Sequence, residues 1–220
     1  MKSYRFDNDH TPLPIGKIVC LARTYQKHAK EMKTVPPPNP LLFLKPVSSV
    51  IFSNETIRYP RMSHCIHHEI EVGVVIGKTA SCVSPKEALR FIKGYLVGLD
   101  ITARDIQATA KKNGWPWGIA KGFDTFAPLS NVVSAEKVSD PNNISFRLWV
   151  NSNLRQQGST ANLIWSIESL ISYISTIMTL ERGDLILTGT PEGVGELQIG
   201  DKMRAELSDL TYLEVSVAEE

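Results

Sequence analysis

Residues 67–77 read His-His-Glu-Ile-Glu-Val-Gly-Val-Val-Ile-Gly, and this stretch decides the fold. Apolar residues at positions 70, 72, 74 and 76 alternate with Glu69, Glu71 and Gly73, and a glycine closes the run. A period of two that is rich in β-branched residues predicts a β-strand. On a strand, Glu69 and Glu71 point to the same face with their Cα atoms roughly 6–7 Å apart, whereas a helix would turn them to nearly opposite sides.

A third carboxylate, Asp100, ends another apolar run over residues 94–99. If the two predicted strands lie side by side, Glu69, Glu71 and Asp100 face one point. Carboxylates this close repel each other unless a cation or a proton lies between them. Three oxygen ligands with no cysteine among them suit Mg²⁺ or Mn²⁺ better than Zn²⁺. The alternative is that the two glutamates lie on a solvated face, which is the commoner role of such a pair.

The composition is that of an ordinary globular protein. The chain has 220 residues and a net charge of +1, which predicts one domain and gives no broad attraction to nucleic acid or to a membrane. We expect an N-terminal extension over residues 1–16 and a single main domain over 17–220. Three scattered cysteines favour a reducing compartment. With no signal-peptide pattern and no apolar run of membrane-spanning length, we expect a cytoplasmic protein.

The rest of the pattern predicts a strand-rich chain with two or three helices and without regular β-α alternation. Thr24 is positioned to cap a short helix, and Ser84 is positioned to cap another that runs to residue 92, with Glu87 completing a capping box. Apolar residues at helical spacing predict a third helix over 163–178. Residues 50–59 predict a hairpin, and the proline-rich residues 35–40 predict a stiff extended segment, either a hinge or a plain connection.

A few polar side chains are candidates for chemistry. His28 and Glu31 are three residues apart, so on a helix they share a face, where the glutamate would orient the imidazole as a general base. An incidental surface pair is the alternative. Arg104 and Gln107 share the same spacing close to Asp100, although Arg104 is equally able to pair with Asp105.

Other residues give weaker signals. A lone lysine such as Lys121 is normally a surface residue whose charge reaches solvent. Residues 111–118 predict a basic, aromatic loop, which is weak evidence for nucleic-acid binding in a nearly neutral chain. The glycine-rich turn over 188–195 lacks a phosphate-loop signature, and we expect its backbone to line a small anionic ligand.

Six motifs in order resemble the fumarylacetoacetate hydrolase family, and specifically its short single-domain branch of acylpyruvate hydrolases and oxaloacetate decarboxylases. They cover nearly the whole chain, from about residue 17 to 217. The motifs are YQKHAKEM (25–32), FLKP (43–46), HHEIE (67–71), LDITARDIQ (99–107), AKGFD (120–124) and LTGTPEGVG (187–195). The chain departs from the family's pattern at Ala22 and Thr24, where glycine and asparagine are common.

The resemblance implies an α+β, mainly β fold in which mixed β-sheets are rolled around the active site with a few short helices, usually in a homodimer. It implies Mg²⁺ or Mn²⁺ held by Glu69, Glu71 and Asp100. It also implies roles for six other residues: Lys121 beside the metal, Arg104 and Gln107 on the substrate side, Thr190 at the substrate carboxylate, and His28 with Glu31 as a lid dyad that activates water.

The activity implied is hydrolysis of the C–C bond of acylpyruvates, such as acetylpyruvate or a fumarylpyruvate-like acid, to pyruvate and a carboxylic acid. The same site would serve an oxaloacetate decarboxylase, an oxaloacetate keto–enol tautomerase, or a hydratase or isomerase of aromatic catabolism. A catalytically silent member that binds metal and 2-oxo acids is the non-enzyme alternative. The expected partner is a small 2-oxo acid, with no nucleic acid and no membrane.

Overall fold

The computed structural model describes residues 2–6, 12–31 and 37–220, and the side chain of Ala29 lies outside this description. Strands dominate the described chain, with four α-helices between them. The strands are β1 (Ile18–Ala22), β2 (Leu41–Lys45), β3 (Val50–Phe52), β4 (Thr56–Tyr59), β5 (Ile66–His68), β6 (Ile70–Ile76), β7 (Ile92–Leu99), β8 (Thr102–Ala103), β9 (Ala127–Leu129), β10 (Val133–Ser134), β11 (Ser145–Val150), β12 (Asn153–Ser159), β13 (Leu185–Leu187), β14 (Gly195–Leu197), β15 (Lys202–Leu207) and β16 (Thr211–Glu219). The helices are α1 (Gln26–Glu31), α2 (Arg104–Asn113), α3 (Gly118–Lys121) and α4 (Ile167–Ile177). None of them is long and apolar enough to cross a membrane.

The main sheet has the strand order β2-β1-β13-β6-β7-β9-β3, and β10 pairs with β7. Every residue of β6 is buried, as expected for a strand covered on both faces. Strands β6 and β7 are antiparallel, with Ile70 opposite Leu99 and Glu71 opposite Gly98. This register brings the start of β6 to the end of β7, where the two halves of the predicted acidic cluster meet.

The second sheet has the order β12-β11-β15-β16-β4, and a small third sheet has the order β14-β5-β8. In β16 the residues at 213, 215 and 217 are buried while their neighbours are not, so one face packs and the other meets solvent. The larger apolar core lies between the main and second sheets, for example where Val72 and Val74 share a cluster with Leu148 and Ala205. The predicted class, mainly β with curled mixed sheets and few helices, is confirmed.

A second apolar cluster covers the other face of the main sheet. The N-terminal residues contribute Tyr4, Leu13 and Ile15 to it, and Tyr4 N donates to Leu13 O at 3.0 Å. The described parts of the predicted N-terminal extension therefore pack on the sheet as a pair of extended strands bridged at Ser3 and Pro14. Residues 1 and 7–11 of that extension, and residues 32–36 of the short-helix and proline-rich segments, lie outside the described residues.

The predicted hairpin over residues 50–59 is wrong. A turn does form, with Glu55 N donating to Phe52 O at 3.1 Å. However, β3 pairs in parallel with β9 of the main sheet, while β4 pairs in parallel with β16 of the second sheet. The turn therefore carries the chain from one sheet to the other, which a local alternation of apolar residues does not reveal.

The predicted helices differ from those observed in three places. The segment predicted from Ser84 forms turns and one 3₁₀ turn, Ala88–Phe91, before the chain enters β7. Helix α4 starts later than predicted, capped by Ser166, because Leu163 forms a β-bridge with Tyr25. Residues 111–113 of the predicted loop are the last turn of α2.

The predicted cap of the first helix is also wrong. Helix α1 spans Gln26–Glu31, and the hydroxyl of Thr24 donates instead to Thr188 O at 2.7 Å. A hydroxyl donor suits this carbonyl, which lies on the loop after β13. Thr24 is a residue type that often caps helices, but in the folded chain its hydroxyl bonds a distant carbonyl instead.

Replacing Gly94 by alanine should destabilise the protein by about 1–3 kcal/mol through overpacking, because a Cβ there would lie 2.2 Å from Val133 O across the β7–β10 pair. Urea denaturation monitored by circular dichroism measures this change. Gly118→Ala is the matched control, since no atom lies within 4 Å of its Cβ position. Equal midpoints for the two variants would contradict the close approach at Gly94.

Candidate metal centre and active site

Three carboxylates meet at the junction of β6 and β7. One oxygen from each of Glu69, Glu71 and Asp100 can be chosen so that all three lie within 4.8 Å of one another. The residues are 6%, 1% and 0% exposed, and Asp100 N donates to Glu69 O at 2.8 Å. The structure thus brings together the three predicted metal ligands and buries them, which rules out the solvated-face alternative.

Buried cations offset part of this negative charge. Lys121 Nζ donates to Glu69 Oε2 at 2.8 Å and also to Asp100 Oδ2. Arg104 pairs with Glu69 Oε1. Lys121 is only 2% exposed, so it is not a surface lysine. Burial lowers its affinity for a proton, but Asp100 and Glu69 outweigh that effect and raise the pKa of Lys121, which keeps the ammonium charged.

Lys45 is a further cation that the sequence did not single out. It ends strand β2, is 2% exposed, and lies 2.7 Å from Asp100 Oδ1. Its hydrogen bonds go to the carbonyl oxygens of Ile101 and Lys121, so the contact with Asp100 is an ion pair without hydrogen-bond geometry. The residue type of Lys45 and its place in a partly exposed strand give no signal of this burial.

The three carboxylates differ in their proton affinity. Burial opposes ionisation of Glu69, but Arg104 and Lys121 outweigh it and hold the pKa of Glu69 well below its ordinary value. Burial, and then the charges of Asp100 and Glu69, raise the pKa of Glu71 well above its ordinary value. Glu71 accepts a hydrogen bond from Gly189 N at 2.7 Å, and no cation among the described residues pairs with it.

This donor set fits a hard divalent ion. Asp100 Oδ1 is buried and accepts no hydrogen bond from the described residues. Burial, and then the charges of Asp100 and Glu69, raise the pKa of Glu71, and no positive charge in the described part of the chain is paired with it. A divalent cation between the carboxylates would supply that charge and release the proton. Oxygen ligands alone favour Mg²⁺ or Mn²⁺ over Zn²⁺. Glu69, Glu71 and Asp100 are therefore the residues that could hold the ion.

The glycine-rich loop after β13 positions two acidic side chains. Gly189 N donates to Glu71, and Gly193 N donates to Glu31 at 3.0 Å. Gly189 has φ +94°, and a Cβ there would lie 2.0 Å from Thr24 Oγ1, so glycine is required. The expectation that this backbone lines an anionic ligand is wrong at these two amides, because they bind carboxylates of the protein itself.

His28 and Glu31 form the predicted dyad on helix α1. His28 Nδ1 lies 3.2 Å from Glu31 Oε2, and His28 is 7% exposed. Because Gly193 N also holds Glu31, the imidazole is oriented through two linked contacts. With Nδ1 directed to the carboxylate, Nε2 is the nitrogen left to accept a proton. The incidental surface pair is thus excluded by the burial of His28 and its place in the cavity wall.

Helix α2 carries the predicted substrate-side pair. Arg104 Nη1 donates to Gln107 Oε1 at 2.9 Å, and both residues line the cavity. The alternative partner Asp105 instead accepts from Ser63 Oγ at 2.7 Å and from His64 N at 2.8 Å. Arg104 Nε is buried without a hydrogen-bond partner among the described residues. A buried donor of this kind needs an acceptor, and an anionic ligand would provide one.

Thr190 is held by a residue that the sequence did not reveal. Gln156, on β12 of the second sheet, is 1% exposed and donates from Nε2 to Thr190 Oγ1 at 2.8 Å. Its Oε1 accepts from Ile70 N at 3.1 Å and lies 2.9 Å from His68 Nδ1. These contacts fix the amide orientation, so Thr190 accepts from Gln156 and its own hydroxyl proton is free to donate. A glutamine in a polar strand gives no signal of such a role.

Most of the candidate site residues line one cavity of about 210 Å³. Phe43 and Trp117 form an aromatic wall, with ring centroids 5.9 Å apart, whereas Trp115 is 60% exposed and lies outside the cavity. The lining residues are Leu21, Ala22, Arg23, His28, Phe43, Glu69, Glu71, Arg104, Gln107, Lys111, Trp117, Lys121 and Thr190. A larger groove, of about 750 Å³, lies over the second sheet near Trp149 and Arg204. It does not contain the acidic cluster.

The site combines a buried acidic triad that could hold a metal ion with a buried lysine and a small cavity. This combination within curled β-sheets is typical of an enzyme, and comparisons with known proteins identify its family. The fumarylacetoacetate (FAA) hydrolase C-terminal family matches residues 17–218. The chain belongs to the fumarylacetoacetate hydrolase family, as the motifs predicted, and to its short single-domain branch.

Three similar proteins illustrate the range of the family. The mitochondrial oxaloacetate tautomerase FAHD1 of Arabidopsis thaliana is 47% identical over 201 residues, covering 91% of this chain and 90% of its own. The mitochondrial oxaloacetate decarboxylase of Dictyostelium discoideum is 43% identical over 195 residues, covering 88% and 89%. The crystal structure of fumarylpyruvate hydrolase from Pseudomonas aeruginosa in complex with Mn²⁺ and pyruvate has a TM-score of 0.94 at 35% identity, covering 100% of this chain and 96% of that one.

Replacing Glu71 by glutamine should weaken Mn²⁺ binding by more than roughly 100-fold, because even hydrogen-bond partners of metal ligands are worth about 10–100-fold. Isothermal titration calorimetry on the metal-stripped protein measures the affinity. Glu196→Gln, at an exposed position of β14, is the matched control and should bind Mn²⁺ normally.

The thermal stability of the metal-free Glu71→Gln protein should not fall, because the change removes a crowded carboxyl group. Wild-type affinity in this variant would show that the ion does not use Glu71.

Proposed function

We propose that this protein is a divalent-metal-dependent enzyme that interconverts the keto and enol forms of oxaloacetate, and that the same site cleaves acylpyruvates by hydrolysis. The observation that carries the proposal is the buried acidic triad with Lys121 beside it, of which Glu69, Glu71 and Lys121 line a cavity of about 210 Å³. A cavity below the roughly 300 Å³ of drug-sized pockets suits a small metabolite. Support comes from similar proteins whose names specify oxaloacetate tautomerase and decarboxylase, and from the structural neighbour that holds Mn²⁺ and pyruvate.

A divalent ion held by Glu69, Glu71 and Asp100 would supply a Lewis acid and a template for the carboxylate and keto oxygens of a 2-oxo acid. Arg104 and Gln107 bind and orient the substrate from helix α2. Thr190 donates its hydroxyl proton to a substrate carboxylate oxygen, in an orientation set by Gln156. Together these contacts hold C3 of the substrate in one position, which is the purpose of a preorganised site.

Lys121 performs the proton step in the tautomerase reaction. Its ammonium lies where negative charge develops as the substrate enolises, which stabilises that charge. In the ketonising direction, Lys121 Nζ gives a proton to C3 and the proton of the enol hydroxyl returns to Nζ through a water. One C–H bond forms as one O–H bond breaks, so the step needs no further reactant.

Hydrolysis is the second candidate, and the His28–Glu31 dyad favours it. His28 Nε2 takes a proton from a water as its oxygen attacks the C4 carbonyl of an acylpyruvate. The C3–C4 bond then breaks and its electron pair goes to C3, which gives a carboxylic acid and the enolate of pyruvate. Lys121 protonates C3, and the proton held by His28 then passes through water to Lys121, which restores the ammonium and the neutral imidazole. Tautomerisation needs no attacking water and therefore no such base.

The direct test is a side-by-side assay of oxaloacetate, acetylpyruvate and fumarylpyruvate in the presence of Mg²⁺ or Mn²⁺. The decay of enol absorbance measures tautomerisation, and the appearance of pyruvate measures hydrolysis or decarboxylation. We expect metal-dependent tautomerisation of oxaloacetate and slower hydrolysis of the acylpyruvates. Full activity in metal-stripped buffer, or in Glu71→Gln, would overturn the proposal.

Replacing His28 by glutamine should lower the hydrolysis of acetylpyruvate by at least about 100-fold, the usual contribution of a general base. Tautomerisation of oxaloacetate and the Mn²⁺ affinity should change by less than about threefold, since neither uses the imidazole. His64→Gln, at an exposed histidine, serves as control. If both reactions lost activity equally, the dyad would not be a water activator.

The homodimer and the cytoplasmic location stay predictions. The homodimer rests on the family resemblance and the cytoplasmic location on the sequence pattern, whereas the names of the two relatives above place those proteins in mitochondria.

A further inference from the structure

Two cations in the cavity wall take no part in the arrangement described so far. Arg23 follows strand β1, and Lys111 lies in the last turn of helix α2. Both line the cavity that Glu69, Glu71 and Lys121 also line. Within the described residues, neither Arg23 nor Lys111 forms an ion pair with a carboxylate, whereas Lys45, Lys121 and Arg104 all do.

The backbone at Arg23 is held in an unusual conformation. Its φ of +60° lies in the left-handed region that non-glycine residues rarely adopt. Its neighbours fix this conformation, because Ala22 is paired with Leu41 in the sheet and Thr24 donates to Thr188 O. Strain of this kind persists where the surrounding structure enforces it, often next to a ligand site.

Lys111 is close to the other cations of the site. Its ammonium lies 5.3 Å from the centroid of the Trp117 ring, which belongs to the same cavity wall. Burial, and then the charges of Arg104 and Arg23, lower the pKa of Lys111. Arg23, Arg104 and Lys111 all line the same cavity of about 210 Å³, so three positive side chains face one small volume. Their repulsion disfavours the empty cavity and favours one that contains an anion.

The balance of charges in the site also favours an anionic ligand near Arg23 and Lys111. Lys45, Lys121 and Arg104 match the three carboxylates in number, so a divalent ion alone would make the centre positive. The carboxylate of a 2-oxo acid would offset one unit of that charge. Arg23 and Lys111 then remain unmatched, and a second carboxylate on the substrate would pair with them.

We propose that Arg23 and Lys111 form a subsite for a second carboxylate, so that the enzyme selects dicarboxylic 2-oxo acids over monocarboxylic ones. The inference rests on the proposed function for the reaction, but it concerns binding and is testable without turnover. Such a subsite favours the binding of oxaloacetate and fumarylpyruvate over that of acetylpyruvate. Trp117 positions Lys111 through its ring face, in the manner of cation–π contacts.

The test compares the binding of two acids that the reaction does not consume. Pyruvate has one carboxylate, and 2-oxoglutarate has a second one. Calorimetry on the Mn²⁺-loaded protein should show tighter binding of 2-oxoglutarate. Arg23→Gln and Lys111→Gln should each weaken its binding about tenfold, the usual worth of a charge-assisted hydrogen bond. Their affinity for pyruvate should change less than about twofold.

Lys112→Gln is the matched control, because Lys112 neighbours Lys111 on helix α2 but does not line the cavity. It should bind both acids as the wild type does. Unchanged Mn²⁺ affinity in all variants shows that they are folded. Equal weakening of the two acids, or no weakening of 2-oxoglutarate in either variant, would overturn the subsite.

A kinetic arm separates this inference from the proposed function. The KM for oxaloacetate should rise about tenfold in Arg23→Gln and Lys111→Gln, while the KM for acetylpyruvate should stay within about twofold. If the calorimetric selectivity is present but no substrate is turned over, the subsite stands and the proposed function is wrong. If substrates are turned over without selectivity in either assay, the proposed function stands and the subsite is wrong.

Discussion

The crowding of three carboxylates in a place without solvent is the constraint on which the site depends. Glu69, Glu71 and Asp100 are each less than one-tenth exposed, and charges removed from water must be paired or neutralised. The fold meets this need with the buried Lys45 and Lys121, the partly buried Arg104 and a backbone amide. No cation among the described residues pairs directly with Glu71, and burial, followed by the charges of Asp100 and Glu69, raises its pKa. A divalent ion held by Glu69, Glu71 and Asp100 would offset the repulsion among them, so the electrostatics of the fold favour a metal at this place.

The compensating groups come from distant parts of the chain. Lys45 comes from an edge strand of the main sheet, Arg104 from helix α2 and Lys121 from helix α3, while Gly189 contributes its amide from the loop after β13. Each of these contacts also joins one element to the sheet junction. The charged centre therefore organises the packing around it, and the elements that shape the cavity are those that stabilise its charge.

The sequence predicts the parts of this arrangement that depend on local periodicity. The β6 alternation places Glu69 and Glu71 together, and Asp100 follows from the end of the next buried strand. What the sequence could not predict depends on tertiary partners. The turn near residue 54 changes sheets, and Thr24 binds a carbonyl instead of capping a helix. The burial of Lys45 and the amide geometry of Gln156 are likewise invisible in a single sequence, because neither residue type distinguishes a buried role from an exposed one.

Gln156 also connects the site to the second sheet. It is part of the β11–β12 hairpin, yet its amide contacts Thr190 and the start of β6. Any distortion of that hairpin would rotate the amide and turn the threonine hydroxyl away from the cavity. The second sheet therefore helps to set the hydroxyl of Thr190 through Gln156, so a substitution that displaces this hairpin would alter the cavity wall from a distance.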